Sequence, residues 1–331
     1  MEIKVCTTHE WTEQEWSSFI ASFNIVFSRQ YSEEFFRKKY LSSCDHCSYH
    51  ALLLNDDGEV VGNCSIVPFL YYQGSTVFKN GLGADVFIRE EYRTDPLMLR
   101  RMYKKLVKLL VDNSVVAVMA VPNATAYPYW RNVVKWKDVG YLRYWALPVR
   151  VGNVCHKYHF LNAFSRIYCS LVLGVSAIFS FLGGKQRQFK YSIVESEDFI
   201  QERFGEDYEC ICDGAIKNYF RIVDEDGVRT AYLIYSRENG VLSFRSLYKG
   251  VSYIIRQHKV DLVLYIGPLS FPQSLFWKIP HKIEPKLLPL TCDLLQNKQG
   301  HEYFDMLVFS NWDFGLLNYG INMRLKRLFF V

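Results

Sequence analysis

The chain has 331 residues, of which 50% are hydrophobic and 16% aromatic, so it can form two domains of about 150 residues and is too apolar for a disordered chain. The net charge of +5 is small for this length, and acids and bases are interspersed, which argues against a nucleic-acid partner. An anionic cofactor or an anionic membrane surface is enough to explain the positive balance.

Two helices are predicted within the first 50 residues. Thr12 followed by Glu15 is a capping-box pattern at the start of TEQEWSSFIASF, and YSEEFFRKKY follows with a charged face. Three strands are then predicted in ALLLN, EVVGNCSIVPFLYY and VFKNGLGADVFI, with turns at residues 56–58 and 73–75. Such closely spaced strands predict an antiparallel meander.

After Arg93 the apolar residues recur at the spacing of a helix. Asp95 before Pro96 predicts a helix start, because the carboxylate can cap free amides and proline fits the first turn. This helix is expected to end near Asp112, and the apolar run VVAVMAVP predicts a central strand. A second helix beginning at Asn123 and a closing strand in YLRYWALPV complete this part of the chain near Arg150.

An uncharged segment runs from Ile167 to Gly184. As a helix it would cover roughly 27 Å, a little short of a bilayer core, so a buried or interface-lying helix is favoured over a membrane span. Peripheral membrane contact through 167–184 is left open by this pattern.

The last 140 residues repeat the order of elements loosely. A hairpin is predicted in RTAYLIYSRENGVLSFRSLY with its turn at 238–240, then a helix in YKGVSYIIRQHK and a buried strand in DLVLYIG. The predicted fold class is therefore α+β, with a mixed, mostly antiparallel sheet flanked by helices in two tandem halves. The expected domains are 1–150, an apolar connector over 151–189, and a degenerate second domain over 190–331.

Residues 1–150 resemble the GNAT superfamily of acyl-CoA-dependent N-acyltransferases. The resemblance depends on Gly83–Ile88 followed by Glu91-Tyr92-Arg93 at a strand-helix junction, and on VMAVPNATAYPYWRNVVKWKDVGYLRYW. Lys135-Trp136 replaces the family's Gly-aromatic pair. The "VPN…YP" form is most similar to GNAT proteins found among bacterial surface-polysaccharide genes, some of which carry a second, eroded GNAT half.

The resemblance implies acetyl-CoA or another acyl-CoA as co-substrate. In the family a glycine-containing loop at a helix N-terminus binds the pyrophosphate through backbone amides. Here Arg93 fits that loop, but its glycine positions fall on Pro96 and Met98, and Asp95 adds a negative charge. The expected cofactor-binding residues, carried over or taken as compensation, are Val86, Phe87, Ile88, Arg93, Leu97, Met98, Leu99, Arg100, Arg101 and Asn123.

The same resemblance implies direct acyl transfer to an amine. A backbone amide of the strand Asp85–Ile88 would hold the oxyanion, and Asn123 would position the pantetheine arm. Tyr127 and Tyr129 are candidates for the acid that protonates the leaving thiolate, and Asp85 is the nearest candidate base. The expected acceptor is a small-molecule or saccharide amine, in line with an amino sugar of a surface-polysaccharide precursor.

Two other function classes remain open. One is a non-catalytic GNAT-fold binding or scaffold protein that has lost acyl-CoA binding, and the other is a transferase that adds amino acids from aminoacyl-tRNA to cell-wall peptides. GxSxG, HExxH, GxxxxGK[ST] and GxGxxG motifs are all missing from the sequence, so hydrolase, zinc-protease, P-loop and Rossmann functions have no starting point.

Cysteine usage predicts a cytoplasmic protein. The nine cysteines are scattered, and the first residues, MEIKVCTTHEW, contain no apolar signal-peptide core. The run CDHCSYH at 44–50 could supply three metal ligands, but no second CxxC completes a zinc site, so no metal is expected.

Overall fold

The computed structural model describes residues 1–154, 159–181, 186–195, 199, 208–269, 273–295 and 305–319. Its helices are α1 (Glu13–Phe27), α2 (Glu33–Leu41), α3 (Met98–Asp112), α4 (Tyr127–Tyr129), α5 (Val151–Val154), α6 (Leu161–Phe181), α7 (Phe244–Gln257) and α8 (Leu316–Tyr319). The first strands are β1 (Glu2–Thr7), β2 (Tyr49–Leu54), β3 (Val60–Gln73), β4 (Thr76–Ile88), β5 (Val115–Ala120), β6 (Lys137–Tyr141), β7 (Tyr144–Pro148) and β8 (Gln186–Arg187). The later strands are β9 (Tyr191–Ile193), β10 (Glu209–Asp213), β11 (Ile216–Glu225), β12 (Val228–Glu238), β13 (Leu242–Ser243), β14 (Leu262–Ile266), β15 (Trp277–Lys278) and β16 (Pro289–Leu294).

The chain divides into two compact units, each built from three stretches of sequence. The first unit comprises Met1–Gly140, Tyr191–Arg203 and Pro289–Asn311, and the second comprises Tyr141–Lys190, Phe204–Leu288 and Trp312–Val331. The contiguous domain ranges expected from the sequence stay a prediction. Each unit has its own mixed sheet flanked by helices, which confirms the predicted α+β class and is consistent with two tandem halves.

The first unit contains the predicted meander. Its sheet has the strand order β1-β2-β3-β4-β5-β16-β6, and β9 pairs with β3. Strands β1 to β4 pair antiparallel, whereas β5 runs parallel to β4 after the crossover through α3. Strand β1 was not predicted, because its short run EIKVCT was read as part of a helical region; it pairs with β2 along its whole length.

Helix α3 packs one face on this sheet, as its hydrophobic period predicts. Its buried side chains are Met98, Met102, Tyr103, Leu106 and Leu110, and they belong to the same apolar core as the β5 side chains Val115 and Val118. Burying each such aliphatic side chain contributes about 1.5–3 kcal/mol relative to exposure. Truncating Leu106 to Ala would leave a cavity and cost about 2–5 kcal/mol.

The second unit repeats the strand-helix-strand crossover of the first. Its sheet has the order β10-β11-β12-β14-β7-β15, and β14 runs parallel to β12 after α7. The buried strand predicted in DLVLYIG is therefore confirmed as β14. The crossover β12-α7-β14 has the same order and strand direction as β4-α3-β5.

The hairpin predicted across 238–240 is wrong. The chain does turn there, with Asn239 and Gly240 at positive φ, but β13 has two residues and α7 begins at Phe244. The cause is local, because the Ser243 hydroxyl accepts a hydrogen bond of 3.0 Å from the Ser246 amide and caps the helix. Strand β12 instead forms its hairpin with β11 around Asp226-Gly227, both at positive φ.

The predicted closing strand YLRYWALPV is divided between two sheets. Strand β6 ends at Tyr141 in the first sheet, and β7 pairs with β14 and β15 in the second. Strand β16, far along the chain, pairs antiparallel with β5 in the first sheet. Each sheet therefore contains a strand from the other half of the sequence.

Candidate functional site

Strand β4 has a bulge at Asp85. Asn63 of β3 pairs with Phe87 and Ser65 pairs with Ala84, so two residues of β4 stand opposite one of β3. Asp85 has φ +47°, in the left-handed region that Asp and Asn tolerate better than most other residues. The Asn63 amide donates a hydrogen bond of 2.8 Å to the Asp85 carbonyl and fixes the bulge.

The Asp85 carboxylate is held by two neighbouring side chains of α2. Lys39 Nζ lies 2.7 Å from Oδ1, and the Tyr40 hydroxyl donates a hydrogen bond of 2.8 Å to Oδ2. The Asp85 side chain is only 9% exposed. Burial, and then the negative charge of Asp85, raise the pKa of Tyr40 well above its ordinary value, so this hydroxyl stays a donor.

A buried polar chain continues from Tyr40 toward β1. Ser65 Oγ donates to the Tyr40 oxygen at 3.3 Å, and Asn63 Nδ2 donates to Ser65 Oγ at 2.6 Å. Beyond them His50 contacts Asn63 Oδ1 through Nδ1 at 3.4 Å and Thr8 Oγ1 through Nε2 at 2.9 Å. Burial lowers the pKa of His50 to about 3, so the ring is neutral.

Lys39, Tyr40, His50 and Asn63 were not predicted as site residues. Their signal in the sequence is weak: Asn63 and Ser65 are polar residues at alternate positions of an otherwise apolar strand. Such alternation can mark polar side chains on one face of a strand, but it does not say which helix meets them.

The paired stretch of β4 and β5 ends short of the bulge. The parallel register runs from Lys79 opposite Val115 to Leu82 opposite Met119. Residues 83–88 of β4, including Val86, Phe87 and Ile88, lie beyond that last pair. Strand amides point alternately to the two sides, so this part of β4 presents backbone N–H groups on the side away from β3. The Phe87 side chain itself is buried, with the ring centroids of Phe19 and Phe23 within 5.9 Å of its own.

Helix α3 begins at Met98, two residues after Pro96, and its first amides are already engaged. Asp95 Oδ1 accepts a hydrogen bond of 2.8 Å from the Leu97 amide, and the Asp95 carbonyl accepts one of 3.1 Å from Met98. Leu99 is the next residue of the first turn. Asp95 therefore shapes the turn into the helix, whereas the N-cap position is Leu97, which has no side-chain cap hydrogen bond; the predicted capping of free helix amides by Asp95 is not observed.

The three arginines expected near the phosphates have different surroundings. Arg93 Nε donates a hydrogen bond of 2.7 Å to the Ile88 carbonyl, and Arg101 Nη1 lies 2.9 Å from Asp95 Oδ2. Arg100 Nε is buried and has no hydrogen-bond partner among the described residues. Of the three, Arg100 is the one whose surroundings favour an anion.

The Tyr129 hydroxyl lies at the start of α3. It donates a hydrogen bond of 2.6 Å to the Pro96 carbonyl. Burial raises the pKa of Tyr129, and the Arg100 backbone amide, a hydrogen-bond donor to the same oxygen, lowers it. Of the two groups that Tyr129 contacts, the Arg100 amide is a donor that a bound anion could otherwise use.

Tyr127 and Asn123 have local structural partners. The Tyr127 hydroxyl donates a hydrogen bond of 2.9 Å to Asp138 Oδ1 on β6. Asn123 Oδ1 accepts one of 2.8 Å from the Ala126 amide and so shapes the turn into α4. The structure thus brings Tyr129 to the start of α3, whereas Asp85 lies with α2. The assignments of Asp85, Tyr127 and Tyr129 to catalysis stay predictions.

Comparison with solved structures finds proteins of similar architecture. The chain matches no family model and no curated protein. Among solved structures it is similar to GCN5-related N-acetyltransferases from Kribbella flavida (TM-score 0.58, 13% identity, covering 89% of this chain and 73% of that one) and Anabaena variabilis ATCC 29413 (0.57, 10%, 89% and 74%). It is also similar to Saccharomyces cerevisiae N-myristoyltransferase, whose structure has bound myristoyl-CoA (0.52, 9%, 88% and 82%). The chain has the GNAT fold.

The start of α3 does not fit the pyrophosphate of an acyl-CoA, the co-substrate that the GNAT fold implies. Pro96 has no amide to donate, Asp95 engages the next two amides, and Tyr129 covers the Arg100 amide. The Asp95 carboxylate would also repel the phosphates. A role for Arg93, Leu97, Met98, Leu99, Arg100, Arg101 or Asn123 in holding another part of a donor stays a prediction.

The corresponding helix start in the second unit, that of α7, is also occupied by side chains of the chain itself. Ser243 caps α7 and donates a hydrogen bond of 2.8 Å to Glu238 Oε2. Arg245 pairs with the other oxygen of Glu238 at 3.1 Å. A carboxylate therefore lies at the first turn of the crossover helix in both halves of this GNAT-fold chain.

The described part of the chain contains no cluster of side chains that could bind a metal ion. No three His, Cys, Asp or Glu side chains there lie close enough to hold an ion. Within the run 44–50, His50 faces Thr8 and Asn63, and burial raises the pKa of the Cys44 thiol to about 12.

Proposed function

We propose that this chain is an N-acyltransferase that binds its acceptor amine at the β4 bulge. One observation carries the proposal: a buried carboxylate, Asp85, is oriented by Lys39 and Tyr40 beside the place where β4 and β5 cease to pair. Carboxylates held in this way suit proton transfer, because their orientation is fixed before substrate arrives.

Asp85 would act on the acceptor. An amine must lose a proton to attack an acyl carbon, and a carboxylate within hydrogen-bond reach can accept that proton. Lys39 forms an ion pair with one carboxylate oxygen, and the Tyr40 hydroxyl donates a hydrogen bond to the other. An entering amine would replace one of these two partners. Backbone N–H groups among Val86, Phe87 and Ile88 are the proposed donors to the oxyanion.

The proposed acyl donor is an acyl-CoA. The GNAT fold implies an acyl-CoA, and myristoyl-CoA is bound in the yeast N-myristoyltransferase structure. Because the start of α3 does not fit a pyrophosphate, we assign no residue to the donor's phosphates. Tyr127 and Tyr129 remain the proposed acids, although the Tyr129 hydroxyl must first leave the Pro96 carbonyl.

The proposed acceptor class is an amine on a small molecule or saccharide, with an amino sugar of a bacterial surface-polysaccharide precursor as the specific candidate. Its support is the resemblance of the "VPN…YP" segment described above. A cytoplasmic location belongs to the same proposal.

A non-catalytic GNAT-fold binding protein is the second candidate. The observation that favours it is the closed start of α3, where Asp95 and Tyr129 occupy the amides that would contact a phosphate. Such a protein would use the polar site around Asp85 to bind an amine and would transfer nothing.

An assay with both substrates separates the two candidates. The full chain is incubated with acetyl-CoA or a longer acyl-CoA and with a panel of free and nucleotide-linked amino sugars, and N-acylated product is measured by mass spectrometry. Product that disappears in Asp85→Asn but persists in Asp57→Asn, an exposed turn residue, supports the acyltransferase. Amine binding by calorimetry without product from any donor supports the binding protein.

A further inference from the structure

Helix α6 has an exposed row of large apolar side chains. The row, here called the α6 stripe, consists of Phe164, Ile167, Leu171, Val175 and Ile178, each between 47% and 67% exposed. Their spacings of three and four residues place them on one face of the helix. At 1.5 Å per residue the stripe is about 21 Å long. Contiguous apolar surface of this kind marks a site of interaction.

The opposite face of α6 holds the helix on the second unit. Ser165 Oγ donates a hydrogen bond of 3.0 Å to the Val149 carbonyl, and Ser176 Oγ lies 2.8 Å from Ser274 Oγ. Cys169 is buried in the core of this unit. The fully buried side chains of α6 are thus small, and Tyr168, Val172 and Leu173 pack on the same core, while the stripe faces away from it.

This packing favours a helix that lies on a membrane over one that crosses it. Among the described helices, α6 is long and apolar enough to span a bilayer by length and composition. Crossing would separate Ser165 and Ser176 from their partners and expose them to lipid, where an unpaired polar group is costly. Lying flat keeps both contacts and still buries the stripe.

The charges around α6 match an anionic surface. Residues 139–194 contain no Asp or Glu but seven Lys or Arg, so this segment has a charge of +7 and the rest of the chain −2. Arg143 and Arg150 are paired with Glu284 and Asp261. Five further basic residues, Lys157, Arg166, Lys185, Arg187 and Lys190, belong to α6 or flank it in sequence. Arg166 is exposed, two residues after Phe164.

We infer that the α6 stripe rests on an anionic phospholipid membrane, with its side chains in the interfacial region and the net positive charge of segment 139–194 attracted to the anionic headgroups. Interfacial helices combine an apolar face with Lys and Arg in this manner, and anionic lipid adds to binding through charge attraction. The inference does not depend on the proposed acyl transfer, since it concerns a helix of the second unit, whereas the proposed site is built from residues of the first.

Vesicle flotation tests the inference with the detergent-free full chain. Vesicles of phosphatidylcholine alone are compared with vesicles that also contain phosphatidylglycerol. We expect the chain to float with the mixed vesicles and to bind less as salt increases, because screening weakens the charge attraction. A chain that stays at the bottom of the gradient with the mixed vesicles at low salt overturns the inference.

A matched pair of variants locates the contact. Ile178 on the stripe and Ile25 on α1 are both 63% exposed. Ile178→Glu should weaken partitioning into mixed vesicles by about tenfold or more, whereas Ile25→Glu should leave it within about twofold. Equal effects of the two substitutions contradict the assignment to α6.

Two further measurements keep the result interpretable. Thermal unfolding shows whether each variant is folded, and the milder Ile178→Ser replaces Ile178→Glu if the latter is not. Light scattering shows whether the stripe instead joins two copies of the chain. A dimer that Ile178→Glu dissociates, together with no binding to mixed vesicles, overturns the membrane inference in favour of self-association.

Discussion

The Tyr40 hydroxyl donates a hydrogen bond of 2.8 Å to Asp85 Oδ2, while the preceding residue of α2 holds Oδ1 through an ion pair of 2.7 Å. Both oxygens of a buried carboxylate are therefore fixed by one turn of one helix. Asp85 itself sits at a bulge with φ +47°, a conformation that persists because its surroundings support it. This arrangement defines the amine side of the proposed site.

Removal of the Lys39 charge should destabilise the first unit. Lys39→Met leaves the buried Asp85 carboxylate with one partner, and we expect the free energy of unfolding to fall by about 1–3 kcal/mol. Lys249→Met is the control, because the Lys249–Asp213 pair is exposed and should contribute at most about 1 kcal/mol. Denaturant unfolding of both variants at neutral pH measures the difference, and equal losses would contradict a structural role for the Lys39 pair.

Stability should fall as the pH drops below the ordinary pKa of histidine. The pKa of His50 is about 3 in the folded chain and about 6.5 in the unfolded chain, so between these values only the unfolded chain binds the proton. The stabilising contribution is complete above pH 6.5 and is lost toward pH 3. Lowering the pH from 7 to 5 should cost about 2 kcal/mol through this residue alone.

Two histidine variants check the assignment by denaturant unfolding at several pH values. His50→Gln should flatten the decline between pH 7 and 5, although it lowers stability at neutral pH by disturbing the contacts with Thr8 and Asn63. His9→Gln, at an exposed position, should leave the decline as it is. The assignment is wrong if both variants keep the full pH dependence.

The charge of Asp95 should control whether an anion approaches the start of α3. Asp95→Asn keeps an oxygen that can accept from the Leu97 amide but removes the negative charge. We expect the affinity for inorganic pyrophosphate and for acetyl-CoA to rise by about threefold to tenfold, since repulsion is relieved and Arg100 and Arg101 remain. Calorimetric titration of wild type, Asp95→Asn and Asp57→Asn measures this. Unchanged affinity in Asp95→Asn would mean that donor phosphates bind elsewhere.

Local signals in the sequence predict much of the first unit. Thr12 and Glu15 form the expected capping box of α1, and the period of Met102, Leu106 and Leu110 is that of a helix packed on a sheet. Both depend on residues a few positions apart, which is the range over which capping and helical periodicity act.

Features that depend on distant residues were not predictable in this way. Strand β16 pairs with β5 although more than 160 residues separate them, and β7 joins a different sheet from β6. The turn at Asn239-Gly240 looked like a hairpin because the pattern does not show that Ser243 caps a helix directly afterwards. Local propensity cannot decide such competitions, which tertiary contacts settle.

In the candidate site, too, single residues were predictable from the sequence and their distant partners were not. Asp85 was proposed as a base through the GNAT resemblance of its strand, but its partners Lys39 and Tyr40 lie about 45 residues earlier and came only from the structure. The sequence did show that Asp95 and Pro96 disturb a phosphate loop. It did not show that Tyr129 covers the same helix start.

The direct test of the central claim is the rate of amine acylation by wild type and Asp85→Asn with the same acyl donor and amine. Asparagine tolerates the positive φ of Asp85 and can still accept from Tyr40, so the variant should fold. We predict that kcat/KM falls by about a hundredfold or more at neutral pH, because the base is lost, while Asp57→Asn retains wild-type activity. Acylation by Asp85→Asn at the wild-type rate would contradict the assignment of Asp85 as the residue that accepts the amine proton.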